Sequence, residues 1–120
     1  MKILIADDSK AMRQVIGHML KQAGFRDHTI VEACDGAEAL TVVASESPDV
    51  IISDWNMPNK TGIEFLQALR AQGVGTPFGF VTTEVSPEMR SLATDSGAAF
   101  MIAKPFAPED FQRALDSYLG

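Results

Sequence analysis

Five short apolar runs alternate along the chain with five stretches of helical period, and that alternation predicts an α/β fold. The expected architecture is a doubly wound (βα)5 sandwich, a five-stranded parallel sheet whose right-handed crossovers place helices on both faces. Two observations support it. Residues 2–6 and 50–52 are almost wholly apolar and do not alternate, as in strands covered on both sides. The 120 residues hold no repeat, low-complexity segment or internal linker, which suits one domain (1–120) around one core.

Each element has its own signal. After the strand at 2–6, a period of 3.6 from Lys10 aligns Met12, Val15, Ile16, Met19, Leu20 and Ala23; Asp8 or Ser9 can cap that helix and Gly24 can end it. A second strand at 29–33 precedes an Asp35-Gly36 turn and a helix over 37–44, directed inward by Ala37, Leu40 and Val43. The third strand ends on Asp54, and Pro58 stops regular structure before a helix over 62–71 with Phe65, Leu66 and Leu69 inside. Strand four, 78–82, contains Gly79, which weakens a strand and marks close packing. Pro87 opens a helix that runs to Ser96 and stops at Gly97. A fifth strand, 99–103, is broken by Lys104-Pro105, and Pro108 opens a last helix burying Phe111, Ala114, Leu115 and Tyr118.

Composition excludes several functions. A net charge of -6 argues against a nucleic-acid surface, which needs a basic stripe. No apolar stretch approaches the ~20 residues that span a bilayer. The N-terminus reaches Asp7-Asp8 too soon for a secretory signal, so a cytoplasmic location is expected. Cys34 is alone and forms no internal disulfide; it reads as a small buried residue. His18 and His28 lack partnering ligands, and Met12, Met19 and Met89 follow helical spacing as core residues do.

In open parallel sheets ligands sit beyond the carboxyl ends of the strands, so those ends carry the chemistry. The first ends in Asp7-Asp8, the third in Asp54, the fourth in Thr82-Thr83 and the fifth in Lys104. The second ends in Glu32-Ala33-Cys34, with nothing reactive. Crowded carboxylates repel, and each has a raised pKa unless a cation joins them. An all-oxygen set favours a hard ion, with Mg²⁺ the natural candidate. A phosphoryl group brought there meets positive charge from the ion and Lys104 and a hydroxyl from Thr82, with Asp54 as nucleophile. Ser9 alone reads as a helix cap.

The ordered set Ala6-Asp7-Asp8-Ser9, Ala33-Cys34-Asp35-Gly36, Asp54-Trp55-Asn56-Met57-Pro58-Asn59, Gly62, Val81-Thr82-Thr83-Glu84 and Lys104-Pro105-Phe106 resembles response-regulator receiver domains over essentially the whole chain. The run from Asp54 to Asn59 is especially similar to single-domain, chemotaxis-type members. The resemblance implies a flavodoxin-like strand order of 2-1-3-4-5 and a stand-alone regulator with no output domain. It further implies a phosphoryl group taken by Asp54 from a sensor histidine kinase or histidine phosphotransfer protein. Asp8, Asp54 and the Asn56 carbonyl would hold Mg²⁺, with Asp7 acting through water. Lys104 would pair with Asp54 and then with the phosphoryl group. Thr82 would carry the signal towards the fourth helix and fifth strand, while Thr83, Asn56 and Glu84 would flank the phosphoryl group. The implied molecule is a monomer that switches binding to a downstream protein and touches neither nucleic acid nor membrane. Receiver domains carry a mobile aromatic three residues before the rim lysine; here Met101 holds that switch position, and Phe100 should face the opposite side.

Three other readings fit parts of the pattern. A receiver acting as an intermediate phosphate sink would need no motor binding. A Mg²⁺-dependent aspartyl-phosphate phosphohydrolase would need a second acid where Asn56 stands. A flavin carrier would place two carboxylates, Asp7 and Asp8, against a flavin phosphate.

Overall fold

The computed structural model describes residues 1–83 and 86–119. Ten elements follow in strict alternation: β1 (Lys2–Ala6), α1 (Lys10–Gln22), β2 (Thr29–Ala33), α2 (Gly36–Glu46), β3 (Val50–Asp54), α3 (Gly62–Ala71), β4 (Phe78–Thr82), α4 (Pro87–Asp95), β5 (Phe100–Ala103) and α5 (Pro108–Leu119). The strands form one parallel sheet in the order β2-β1-β3-β4-β5, as expected. Among the described residues no helix is long and apolar enough to cross a membrane.

Two apolar layers hold the sheet. On one side Leu4, Ile51, Phe78 and Phe80 pack under α2 and α3, with Phe65, Leu66 and Leu69 from the latter. On the other, Ile3, Ile5, Ile52, Val81 and Ile102 pack under α1 and α5, with Ile16, Leu20, Phe111 and Leu115. Side chains alternate across a strand, so the apolar runs of β1 and β3 feed both layers at once.

Helix starts are set by capping. Ser9 accepts a hydrogen bond from the Met12 amide at α1, and Asp35 accepts one from Glu38 at α2, which therefore begins at Gly36. At α3, Thr61 and Glu64 form a reciprocal capping box. At the far end of the sheet, Arg70 donates to the carbonyls of Val74 and Thr76 in the α3–β4 loop and of Gly97 in the α4–β5 loop, tying the two loops together.

Several burial expectations need correction. Ala37 is exposed, because α2 turns Gly36, Ala39 and Val43 to the sheet and that stripe leaves Ala37 to one side. Val15 is 41% exposed and Tyr118 39%. Tyr118 lies in the last turn of α5, beyond Phe111 and Leu115, the buried residues by which that helix joins the core. Cys34 is only half-buried.

Gly79 has a specific partner. It pairs across the sheet with Phe100, whose ring lies where a Cβ at position 79 would be. The Phe100 ring thus occupies the α1–α5 layer, while Met101 packs in the α2–α3 layer. Strand alternation alone places them so, as the sequence predicts.

Candidate functional site

The parallel register sets the strand ends level with one another. Ala6 pairs with Ser53, Asp54 with Val81, and Thr82 with Ala103. The residues just beyond these pairs therefore share one rim. Carboxylate oxygens of Asp7, Asp8 and Asp54 lie within 4.8 Å of one another.

Their environments differ. Asp7 is buried, Asp54 half-buried and Asp8 exposed. Asp7 Oδ1 accepts the Ser9 amide at 2.9 Å, whereas its Oδ2 is buried without a hydrogen-bond partner among the described residues. Asp54 Oδ1 accepts the Trp55 amide at 2.8 Å. Lys104 Nζ stands between them, 3.8 Å from Asp54 Oδ1 and 3.9 Å from Asp7 Oδ2.

Both aspartates are pushed above the usual carboxylate range, chiefly by burial. For Asp7 the Ser9 amide opposes that rise, Asp54 adds to it and Lys104 counters it. For Asp54 the opposing groups are Lys104 and then the amides of Trp55 and Asn56. One lysine is too little charge for three acids. The orphaned Asp7 Oδ2, the all-oxygen donor set and the two raised acids together fit a hard divalent cation.

The remaining predicted residues surround this cluster. Thr82 is buried at the end of β4, and its carbonyl accepts the Lys104 amide at 2.8 Å, tying the β5–α5 turn to the rim. The Lys104-Pro105 peptide in that turn is cis. Thr83 is exposed beside Lys104 in an apolar groove lined by Met12, Val15, Met19, Pro105 and Phe106. Asn56 is exposed in the loop after β3. Glu84 lies outside the described residues. Met101, two residues before the end of β5, is half-buried and does not reach the acids.

The loop carrying Asn56 is held at both ends. Gly62 donates to the Trp55 carbonyl at 2.8 Å, an approach only glycine permits, since a Cβ there would overlap the Asp54 carbonyl. Asn59, with φ of 65°, donates to Asp35 Oδ2 at 2.9 Å. Trp55 packs on Phe80 with ring centroids 4.7 Å apart, directly beside Asp54.

Sequence reasoning missed Arg13. Its guanidinium donates to the Asp7 carbonyl at 2.7 Å and pairs with Glu32 at 3.0 Å. The available signal was an arginine one turn into α1 on the side of β2, but that side is known only once β2 is placed next to β1.

Comparison with known proteins identifies the family of the chain. The family profile of the response regulator receiver domain matches residues 3–116. The chemotaxis protein CheY of Pseudomonas aeruginosa is 36% identical over 118 residues, covering 97% of this chain and 94% of its own. Chemotaxis protein CheY4 of Vibrio cholerae, a solved structure, is 42% identical with a TM-score of 0.86 over 98% of each chain. A Francisella response regulator receiver domain is 32% identical, with a TM-score of 0.87 over 98% of this chain and 95% of that one. The chain belongs to the response regulator receiver domain family, and within it is CheY-like.

Proposed function

We propose that Asp54 accepts a phosphoryl group from the histidine of a sensor kinase or phosphotransfer protein, with Mg²⁺ bound by the acidic cluster, and that the phosphorylated form binds a downstream protein. The observation that carries this reading is the placement of Asp54: a carboxylate ending a buried strand, 3.8 Å from a lysine and beside two further acids. A carboxylate oxygen of Asp54 attacks phosphorus, the bond to the donor imidazole breaks, and an acyl phosphate remains on Asp54. Asp8, Asp54 and the Asn56 carbonyl would hold the ion, with Asp7 joining through water. The ion supplies positive charge to the phosphoryl oxygens. Lys104 would supply more, and the Thr82 hydroxyl a hydrogen bond. Thr83 and Asn56 flank the group and, with Glu84, tune its loss to water; this self-dephosphorylation is the only turnover expected.

Two surfaces have separate tasks on this reading. The apolar groove of Met12, Val15, Met19, Pro105 and Phe106 opens beside Lys104, so a donor docked there would lie next to the rim. The α4-β5-α5 face flanks the outer edge of β5 and carries Met101 at the switch position reached from Thr82. The expected compartment is the cytoplasm, in keeping with the single free cysteine.

Exposure to acetyl phosphate and Mg²⁺, read by intact-protein mass, should add one phosphoryl group to wild type. A wild-type protein that takes no label removes the proposal. Pull-downs with and without beryllofluoride and Mg²⁺ then test the switch, and identical partners in both states would show that no switch exists.

A further inference from the structure

The end of β2 bears none of the reacting groups, yet it braces the acidic pocket through Arg13. The side chain of Arg13 is 15% exposed and divides its donors between two acceptors. Nη1 donates to the Asp7 carbonyl at 2.7 Å, and Nε donates to Glu32 Oε1 at 3.0 Å. From the other side the Asp7 amide donates to the Ala33 carbonyl at 3.0 Å. Both peptide groups of Asp7 are therefore held, one by the backbone of β2 and one by a guanidinium anchored on a β2 side chain. The carbonyl that Arg13 holds belongs to the Asp7–Asp8 peptide. Its orientation sets the direction in which the exposed Asp8 carboxylate leaves the backbone.

We propose that Arg13, oriented by Glu32, is a positioning residue for the divalent-cation pocket, fixing the Asp7–Asp8 peptide so that the three carboxylates converge. The inference rests on the cation reading above. A guanidinium's planar fork suits this task, because it reaches a carbonyl and a carboxylate at once in fixed geometry. Groups that orient metal ligands without touching the metal commonly change metal affinity by 10–100-fold when removed.

The sign of the effect separates positioning from charge. A cation beside a cation site opposes binding through Coulomb repulsion, so deleting Arg13 would tighten Mg²⁺ binding if charge were its whole influence. Positioning requires the opposite. Titration calorimetry of metal-free protein with Mg²⁺ alone reads this without any phosphodonor. Arg13→Met, which keeps most of the side-chain bulk, should raise the dissociation constant about 10-fold. Arg13→Lys should recover part of that loss, and Glu32→Gln should weaken binding by less than Arg13→Met. Glu46→Gln, which breaks the 2.8 Å Lys2–Glu46 ion pair of the surface, should leave affinity unchanged.

Mg²⁺ affinity in folded Arg13→Met equal to or tighter than wild type overturns the proposal and leaves the cation reading standing. If Arg13→Met fails to fold, Arg13→Lys, which keeps the charge and loses the planar fork, decides instead: affinity equal to wild type overturns the proposal and weakened affinity supports it. A wild-type protein that binds no Mg²⁺ overturns both readings together.

Discussion

At the rim, Asp7 and Asp54 each accept a backbone amide and share one lysine. At the outer edge of the sheet, Met101 packs against the apolar α2–α3 layer, on a strand with one side unpaired among the described residues. The rim is specified by several directional contacts per residue, so a change in any one disturbs the others. Met101 is held by packing alone, and packing tolerates side chains of similar volume. On the proposed reading, phosphoryl acceptance falls to the constrained region and partner choice to the region where substitution is cheap.

The largest expected effect tests the rim itself. Asp54→Asn should abolish phosphoryl labelling and the response of Trp55 fluorescence to acetyl phosphate; label on the variant would move the acceptor elsewhere. Lys104→Met should slow labelling by about 100-fold while leaving Asp54 in place, since it removes one charge aimed at the phosphoryl oxygens. Quantitative mass spectrometry against time would reveal an unaffected rate.

At the edge, the sharper test is steric. Gly79→Ala should destabilise the fold by about 1–3 kcal/mol, because the added methyl meets the Phe100 ring. Combining it with Phe100→Leu should recover part of the loss in urea unfolding. Additive losses would mean that the ring is not the obstacle.

A fourth prediction concerns pH. Asp7 and Asp54 have folded pKa values above their unfolded ones, so their contribution is fully present below about pH 4 and is lost as pH rises through the folded values. Metal-free Asp7→Asn should therefore match wild type near pH 3 and exceed it in stability at pH 7, with Mg²⁺ narrowing the gap. Urea midpoints across that range check the sign. The smallest effect is expected at Met101. Met101→Leu should leave labelling within about twofold and cost less than about 1.5 kcal/mol; a large change in labelling would join the two regions that the comparison separates.

The alternation of elements was legible because apolar period is a local property, and so were the positions of Asp7, Asp8, Asp54, Thr82 and Lys104. A parallel sheet sends all strand ends to one side, so naming the ends names the rim. What the sequence withheld depends on which elements are neighbours. Gly79 announced a close approach, but its partner Phe100 sits on β5, across a pairing that no local pattern encodes. Arg13 and Glu32 meet only because β2 flanks β1. Val15 and Tyr118 satisfy helical period yet stand half in solvent, because period gives a helix's face and says nothing of where the layer beneath it stops.

The lysine shared between Asp7 and Asp54 has one more consequence. A single ammonium against three carboxylates leaves two negative charges uncompensated, the charge of one divalent ion with opposite sign. A phosphoryl donor is itself an anion and is repelled by a bare pocket. On the proposed reading the site is thus a coincidence detector. It registers a donor only when the ion has already arrived, and cellular divalent-metal supply becomes a second input to the signal.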